Sequence, residues 1–347
     1  MLRNRTISAE SSLLEAMNKM DKLGKKLLII LDKNLFIGLL SVGDVQRAII
    51  QNKALSTKVS EVIRKNIRIA SPSDDFEVIK QMMFDFRMEL CPVVNKEKEI
   101  VDIFFWEDVF GEKKPFPLPQ INLPVVIMAG GIGTRLKPLT NVFPKPLIPI
   151  GDKTIIEQIF DQFKKHGCND FYISVNFKAE LIEYYLKNQN LPYHIEYFKE
   201  VEPRGTAGSL ALLEGIINET FFVSNCDILV EQDYSEILEY HRSNKNELTI
   251  VASLMHYHIP YGTIETVEDG QLVNLTEKPD LTYKINTGMY ILEPQLLKEI
   301  PTDQFFHITN LIEKINNRGG KIGVFPVSEK SWKDIGDWCE YLKILNI

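Results

Sequence analysis

The stretch Pro124-Val-Val-Ile-Met-Ala-Gly-Gly-Ile-Gly-Thr-Arg-Leu-Lys-Pro-Leu-Thr-Asn-Val-Phe-Pro-Lys-Pro-Leu-Ile-Pro-Ile150 decides how the C-terminal two-thirds of this chain folds. Its first six residues are an apolar run closed by glycines, the pattern of a strand buried on both faces of a parallel sheet. A glycine-rich turn and a set of basic residues follow. Gly130, Gly131 and Gly133 let backbone N–H groups face a polyphosphate without side-chain clash. Arg135 can grip phosphates bidentately, and Lys145 adds a point charge. Pro138, Pro144, Pro146 and Pro149 stiffen the path that carries these cations. Two commoner phosphate loops are excluded. A Rossmann fingerprint needs a third glycine where Leu136 stands, and the pattern GxxxxGK[ST] is absent.

Residues 129 to 149 match AGGxGTRLxPLTxxxPKPLxP, and through that motif the region from about 123 to 347 resembles the sugar-nucleotidyltransferase family. The resemblance implies an α/β fold, a Rossmann-like doubly wound α/β/α nucleotidyltransferase domain. Its site would lie at the carboxyl ends of the strands, where open α/β sheets place ligands. It implies a nucleotide-binding loop of Ala129, Gly130, Gly131, Gly133 and Thr134, with Arg135, Lys145, Asp227 and Lys278 as catalytic residues. Asp227 ends the strand-like Phe221-Phe-Val-Ser-Asn-Cys-Asp227, and Asp334 stands in Trp332-Lys-Asp-Ile-Gly336. In the family these two acids hold Mg²⁺, which takes carboxylates together with substrate phosphates. Glu277 and Lys278, in Thr276-Glu-Lys-Pro279, match positions that hold the sugar and its phosphate. Gly262, Asn286 and Thr287 match the rest of the sugar pocket.

The segment Glu200-Val-Glu-Pro-Arg-Gly-Thr-Ala-Gly208 falls where the family reads the base, with Gly205, Thr206 and Ala207 beside the nucleotide. Pyrimidine-specific relatives often carry glutamine where Glu200 stands. A carboxylate only accepts hydrogen bonds, and guanine offers it two adjacent donors, N1–H and the N2 amine. Thymine and uracil offer one donor flanked by acceptors. The expected donor substrate is therefore GTP. The acceptor is expected to be a sugar 1-phosphate: mannose by likeness to mannose-1-phosphate guanylyltransferases, or a hexosamine by likeness to bacterial surface-glycan enzymes. The alternatives are a thymidylyl- or uridylyl-transferase acting on glucose 1-phosphate, and a catalytically inactive nucleotide-sensing protein. A related glycosyltransferase would carry a DxD motif, but Asn225-Cys-Asp227 stands there.

Upstream, prolines 115, 117 and 119 suggest a stiff spacer over residues 112–122, with separate domains at 1–111 and 123–347. Residues 1–111 repeat at an offset of about 64. A helix over Ser11 to Met20, strands Lys26 to Leu31 and Phe36 to Leu40, and a helix from Val42 recur as Asp75 to Phe86, Leu90 to Val94, Ile100 to Phe105 and the segment from Glu107. This half, about 1–54 and 55–111, resembles a tandem pair of CBS domains. The resemblance implies an adenine nucleotide held by Ser41 and Asp44. A carboxylate suits ribose hydroxyls and a helix N-terminus suits phosphate, though the same pair makes an ordinary helix cap. The second copy carries Asp102 and Phe105 where the first has Gly38 and Ser41, which puts a second nucleotide site in doubt. The paired module also suggests a homodimer or higher homo-oligomer.

The net charge of −7, with no basic block, argues against a nucleic-acid surface. No apolar run approaches membrane-spanning length. The four cysteines are scattered and form no CxxC pair, so buried free thiols in a reducing cytoplasm are expected. No histidine forms a nucleophile or metal pattern with a neighbour.

Overall fold

The computed structural model describes residues 5–64, 67–111, 118–200, 204–302 and 304–345, within two compact units, Met1–Leu118 and Pro119–Ile347. Residues 112–117 of the expected spacer, Pro115 and Pro117 among them, all lie outside the described residues; Leu118 closes the first unit, and residues 119–122 belong to the second. Ile121 N–H donates to the His166 carbonyl at 2.8 Å, and the Gln120 amide donates to the Lys165 carbonyl at 3.1 Å. The close fit requires Gly167, which has φ +79° and whose Cβ would lie 2.3 Å from the Asn122 side chain.

The N-terminal unit is one pattern built twice. In the first copy, strand Thr6–Ser8 pairs in parallel with Leu27–Asp32, and the helix Leu13–Leu23 connects them. Leu27–Asp32 pairs antiparallel with Leu35–Ser41, which runs into the helix Val42–Ile50. In the second copy Ala70 bridges in parallel to Val93 around the helix Phe76–Asp85. Leu90–Val94 then pairs antiparallel with Ile100–Phe105 ahead of the short helix Trp106–Phe110. Ser12 with Glu15, and Ser41 with Asp44, form reciprocal caps that satisfy first-turn N–H groups. Phe105 has no hydrogen-bonding side chain to offer, and its helix is uncapped. Ile29 and Phe36 of one copy share a buried cluster with Leu90 and Val94 of the other, so neither copy closes its core alone.

The second unit is organised on a seven-stranded sheet. Its order is His194–Lys199, Asp170–Val175, Val125–Met128, Phe221–Asn225, Asp280–Leu292, Leu248–His258 and Ile322–Ser328. The first four run parallel. Asp280–Leu292 is antiparallel to both neighbours, so the sheet is mixed, unlike a uniformly parallel doubly wound sheet. Side chains alternate across it as the two-residue period requires. Phe221, Val223 and Val126 point into a cluster closed by Leu311 and Ile315 of the helix Ile308–Asn317. Phe222 and Phe171 point the other way. Phe222 meets Phe163 (5.4 Å) and Tyr234 (5.9 Å), and Phe171 meets Phe160 (4.5 Å). Those partners belong to the helices Ile155–Lys164 and Tyr234–Asn244, which makes three layers. Cys91, Cys168 and Cys226 are buried free thiols, whereas Cys339 is exposed on the last helix, contrary to its expected burial.

Candidate active site

The four parallel strands all deliver chain to one edge of the sheet, and the polar residues collect there. Strand Val125–Met128 opens into Ala129 and the glycine turn, and Phe221–Asn225 runs to Asp227. Asp170–Val175 ends at Asn176, and His194–Lys199 ends at Glu200. Met128 and Asn225 are direct cross-strand partners, which places the glycine turn and Asp227 side by side.

Asp227 and Asp334, more than a hundred residues apart in sequence, are brought together by a two-stranded ladder. Ile228–Val230 pairs antiparallel with Trp332–Asp334, with Ile228 opposite Asp334. The Ile335 N–H donates to the Asp227 carbonyl at 2.7 Å. Burial pushes the Asp334 carboxyl above the usual carboxylate range, and the charge of Asp227 adds to this, while Lys145 and Arg135 act in the opposite sense. Two acids held this close need shared positive charge. Lys145, itself buried, supplies part of it through an ion pair with Asp227. The same low-polarity setting pushes the Cys226 thiol up to about 12, by burial first and then by the Asp227 charge. Among the described residues no group of three or more His, Cys, Asp or Glu forms a complete metal cage. Two neighbouring carboxylates are chemically suited to a divalent cation that draws further oxygens from a ligand.

The signature loop is braced at several points that the motif alone does not reveal. Gly133 has φ +70°, and a Cβ there would lie 2.9 Å from Thr140 and 3.3 Å from Lys145. The Thr140 hydroxyl donates to the Gly133 carbonyl at 2.8 Å. The Lys178 ammonium donates to the carbonyls of Thr140 (3.3 Å), Asn141 (2.6 Å) and Val142 (2.8 Å). From the C-terminal helix Trp338–Leu345, the Trp338 indole donates to the Lys137 carbonyl at 2.7 Å, and the Tyr341 hydroxyl donates to the Pro149 carbonyl at 2.8 Å. Arg135 is exposed on the single turn Thr134–Leu136. A Cβ on Gly336 would lie 3.0 Å from its guanidinium and 2.7 Å from the Asp334 carboxylate. That glycine leaves room for cation and acid to meet.

On the base side, the Glu200 carboxylate accepts from the Ser174 hydroxyl at 2.6 Å and from the Arg204 N–H at 2.8 Å. It lies against Gly130, where a Cβ would be 3.1 Å from Oε1. Residues 201–203 of the expected base-reading segment lie outside the described residues. The rest is anchored to Phe306, whose carbonyl accepts from the N–H groups of Ala207 and Gly208. Gly205 packs against that carbonyl, with a would-be Cβ at 2.7 Å. The Thr206 hydroxyl accepts from the Ile308 N–H, and Ala207 is fully buried. Thr206 and Ala207 therefore have capping and packing partners within the chain.

On the sugar side, Gly262 and Glu277 are neighbours. A Cβ on Gly262 would lie 2.9 Å from Glu277 Oε2. Glu277 and Lys278 are exposed, and Lys278 adopts φ +46° in the turn before Asp280–Leu292. Asn286 donates to the Tyr290 hydroxyl at 2.8 Å and accepts from the Gly288 N–H. Thr287 is 2% exposed and donates to the Val251 carbonyl, so its hydroxyl is satisfied internally rather than presented to a pocket. His256 and His258 pair across the strands with Thr282 and Asp280. In the N-terminal unit, Ser41 and Asp44 make their reciprocal cap, and Asp44 also pairs with Arg47 and Arg64.

This arrangement has counterparts among known proteins. A family model described as nucleotidyl transferase matches residues 124–347. The chain belongs to the nucleotidyl transferase family. A mannose-1-phosphate guanylyltransferase catalytic subunit beta of Drosophila pseudoobscura pseudoobscura is 36% identical over 182 residues, covering 50% of this chain and 49% of that protein. Mannose-1-phosphate guanylyltransferase 1 of Arabidopsis thaliana is 34% identical over 232 residues, covering 64% of this chain and 63% of the relative. The match thus spans about half to under two-thirds of the length of these curated relatives. Among solved structures, HddC from Yersinia pseudotuberculosis is similar at a TM-score of 0.50 and 28% identity, covering 65% of this chain and 98% of that one. A putative glucose-1-phosphate thymidylyltransferase from Bacillus anthracis shares the fold at a TM-score of 0.52 and 20% identity, with 65% and 94% covered. No helix among the described residues is long and apolar enough to cross a membrane.

Proposed function

We propose that this protein transfers a nucleotidyl group from a nucleoside triphosphate, GTP by preference, to a sugar 1-phosphate, mannose 1-phosphate or a hexosamine 1-phosphate, releasing pyrophosphate in the cytoplasm. The observation that carries the reading is the pairing of Asp227 with Asp334 beneath the cations Lys145 and Arg135. The guanylyl preference is supported by the acceptor-only Glu200 carboxylate at the end of its strand and by the names of the curated relatives.

A sugar-phosphate oxygen forms a bond to the α-phosphorus as the bond from that phosphorus to the β-phosphate oxygen breaks. The nucleophile is already an anion and the leaving pyrophosphate departs as one, so no side chain has to move a proton. What remains is to bring two anions together and neutralise their charge. Arg135 faces the departing pyrophosphate, Lys145 the α-phosphate and Lys278 the incoming phosphate, while Glu277 accepts sugar hydroxyls. Asp227 and Asp334 would hold Mg²⁺, which when bound would supply Lewis-acid charge at the reacting phosphates. Lys145, paired with Asp227, offsets part of the repulsion between the two acids.

The N-terminal repeat fits a CBS pair that binds adenine nucleotide or joins subunits into a homodimer or larger assembly. Arg47 and Arg64, both more than half exposed while paired with Asp44, suit the phosphates of such a nucleotide.

A matrix of five nucleoside triphosphates against hexose and hexosamine 1-phosphates, read as pyrophosphate, tests the assignment. The expected result is highest turnover with GTP and mannose or a hexosamine 1-phosphate. Highest turnover with UTP or dTTP and glucose 1-phosphate would replace the guanylyl assignment, and no pyrophosphate with any pair would reject the transferase reading.

A further inference from the structure

We propose that Ser174 and Ser209 are positioning residues for base selection, because they fix the orientation in which the Glu200 carboxylate meets the base. The inference rests on the reading of Glu200 as the base contact.

Glu200 is 8% exposed, and burial at that level is costly for a carboxylate unless donors replace lost water. Its main chain is fixed on both sides. The N–H donates to the Val175 carbonyl at 3.2 Å, and the carbonyl accepts from the Asn176 amide at 2.8 Å. Its side chain is fixed at both oxygens, by the Ser174 hydroxyl on Oε1 at 2.6 Å and the Arg204 N–H on Oε2 at 2.8 Å. Ser174 Oγ also lies 3.2 Å from Ser209 Oγ. The Ser174 hydroxyl is the donor in both contacts, its proton shared between the Glu200 carboxylate at 2.6 Å and the Ser209 oxygen at 3.2 Å, so Ser209 helps to set the orientation from which Ser174 reaches the acid. Both serines are completely buried, on strand Asp170–Val175 and on the turn Gly208–Leu213, where apolar residues would otherwise pack.

The bonds from Ser174 and Arg204 fix the carboxylate's direction without filling its capacity. Each oxygen has two lone-pair directions. One on each is taken by Ser174 or Arg204, leaving one on each for an incoming group. Two adjacent acceptors held at fixed spacing match the two adjacent donors of guanine. The contact with Gly130 puts this carboxylate beside the phosphate loop, so base and triphosphate would be held by neighbouring parts of the site. Without the Ser174 hydroxyl, Oε1 loses its short charge-assisted bond and the carboxylate can turn, so that one oxygen no longer meets the second donor.

The test uses full-length protein, mannose 1-phosphate, and kcat/KM for GTP and for ITP, which differs from GTP by lacking the 2-amino group. In the native protein the GTP:ITP ratio is expected to be on the order of tenfold to a hundredfold, the worth of a hydrogen bond to a charged group. Ser174→Ala should lower that ratio by at least about threefold, and Ser209→Ala should lower it in the same direction by less. A general loosening of the site would slow both substrates together. An unchanged ratio in Ser174→Ala overturns the proposal. Should that variant not fold, the ratio in Ser209→Ala decides between the two outcomes. Glu200→Gln separates the two levels. If it collapses the ratio while both serine variants keep it, only the role of the serines is lost. If it too leaves the ratio unchanged, the base-contact reading of Glu200 fails.

Discussion

Gly336→Ala isolates the electrostatic contact on which the proposed chemistry depends. Gly336 lies outside the left-handed region, so an alanine fits the backbone there without strain. The added methyl would nevertheless sit 2.7 Å from Asp334 Oδ1 and 3.0 Å from Arg135 Nη2. Ordinary contacts to carbon are about 3.5 Å or longer, so the carboxylate or the guanidinium has to move by roughly 0.8 Å. Misplacing a reacting or charge-stabilising group by about 1 Å can cost on the order of 10² in rate. We therefore expect kcat/KM for pyrophosphate release to fall roughly 10- to 100-fold, with a melting temperature within about 2 °C of native. Gly319→Ala is the converse control. Gly319 has φ +73° and nothing within 4 Å of a would-be Cβ. It should lose about 1–2 kcal/mol through backbone strain, roughly 2–8 °C for a unit of this size, and keep full activity. Gly336→Ala activity within twofold of native, at normal stability, would refute the placement of Asp334 and Arg135 in one charge cluster.

Lys178→Met keeps the length of the side chain and removes three hydrogen bonds to the carbonyls of residues 140–142. It should destabilise by about 1–3 kcal/mol in urea unfolding and raise KM for the triphosphate, because the loop carrying Gly133 and Lys145 loses a brace; an unchanged KM would show that Lys178 has no part in holding the loop for substrate. In the N-terminal unit, Asp44→Ala should abolish any response of activity to AMP, ADP or ATP, and an identical response in native and variant would dispose of a ligand site there.

The core of the candidate site was legible because its residues are packed into short stretches with little freedom of interpretation. Gly133 is required by its backbone angle and by its contacts with Thr140 and Lys145, and both causes lie within the motif itself. The acids Asp227 and Asp334 could be picked out, but the strand ladder that joins them is a pairing across a hundred residues that no local pattern encodes. The braces escaped for the same reason. Lys178 reaches a loop nearly forty residues upstream, and Trp338 reaches one two hundred away, so neither leaves a periodic signal. The antiparallel course of Asp280–Leu292 was also hidden, since an apolar strand reads alike in either direction. Thr206 and Thr287 have partners that no motif reveals: the Thr206 hydroxyl accepts from the Ile308 N–H, and the Thr287 hydroxyl donates to the Val251 carbonyl.

The central claim is that Asp227 and Asp334 act as one cation site which draws two phosphates together. Crystals grown with MnCl2 and a non-hydrolysable GTP analogue, measured for manganese anomalous scattering, address it directly. The expected result is a peak within coordination distance, about 2.0–2.2 Å, of both carboxylates and of a triphosphate oxygen. A peak bound elsewhere, with either acid turned away from it, would contradict the claim.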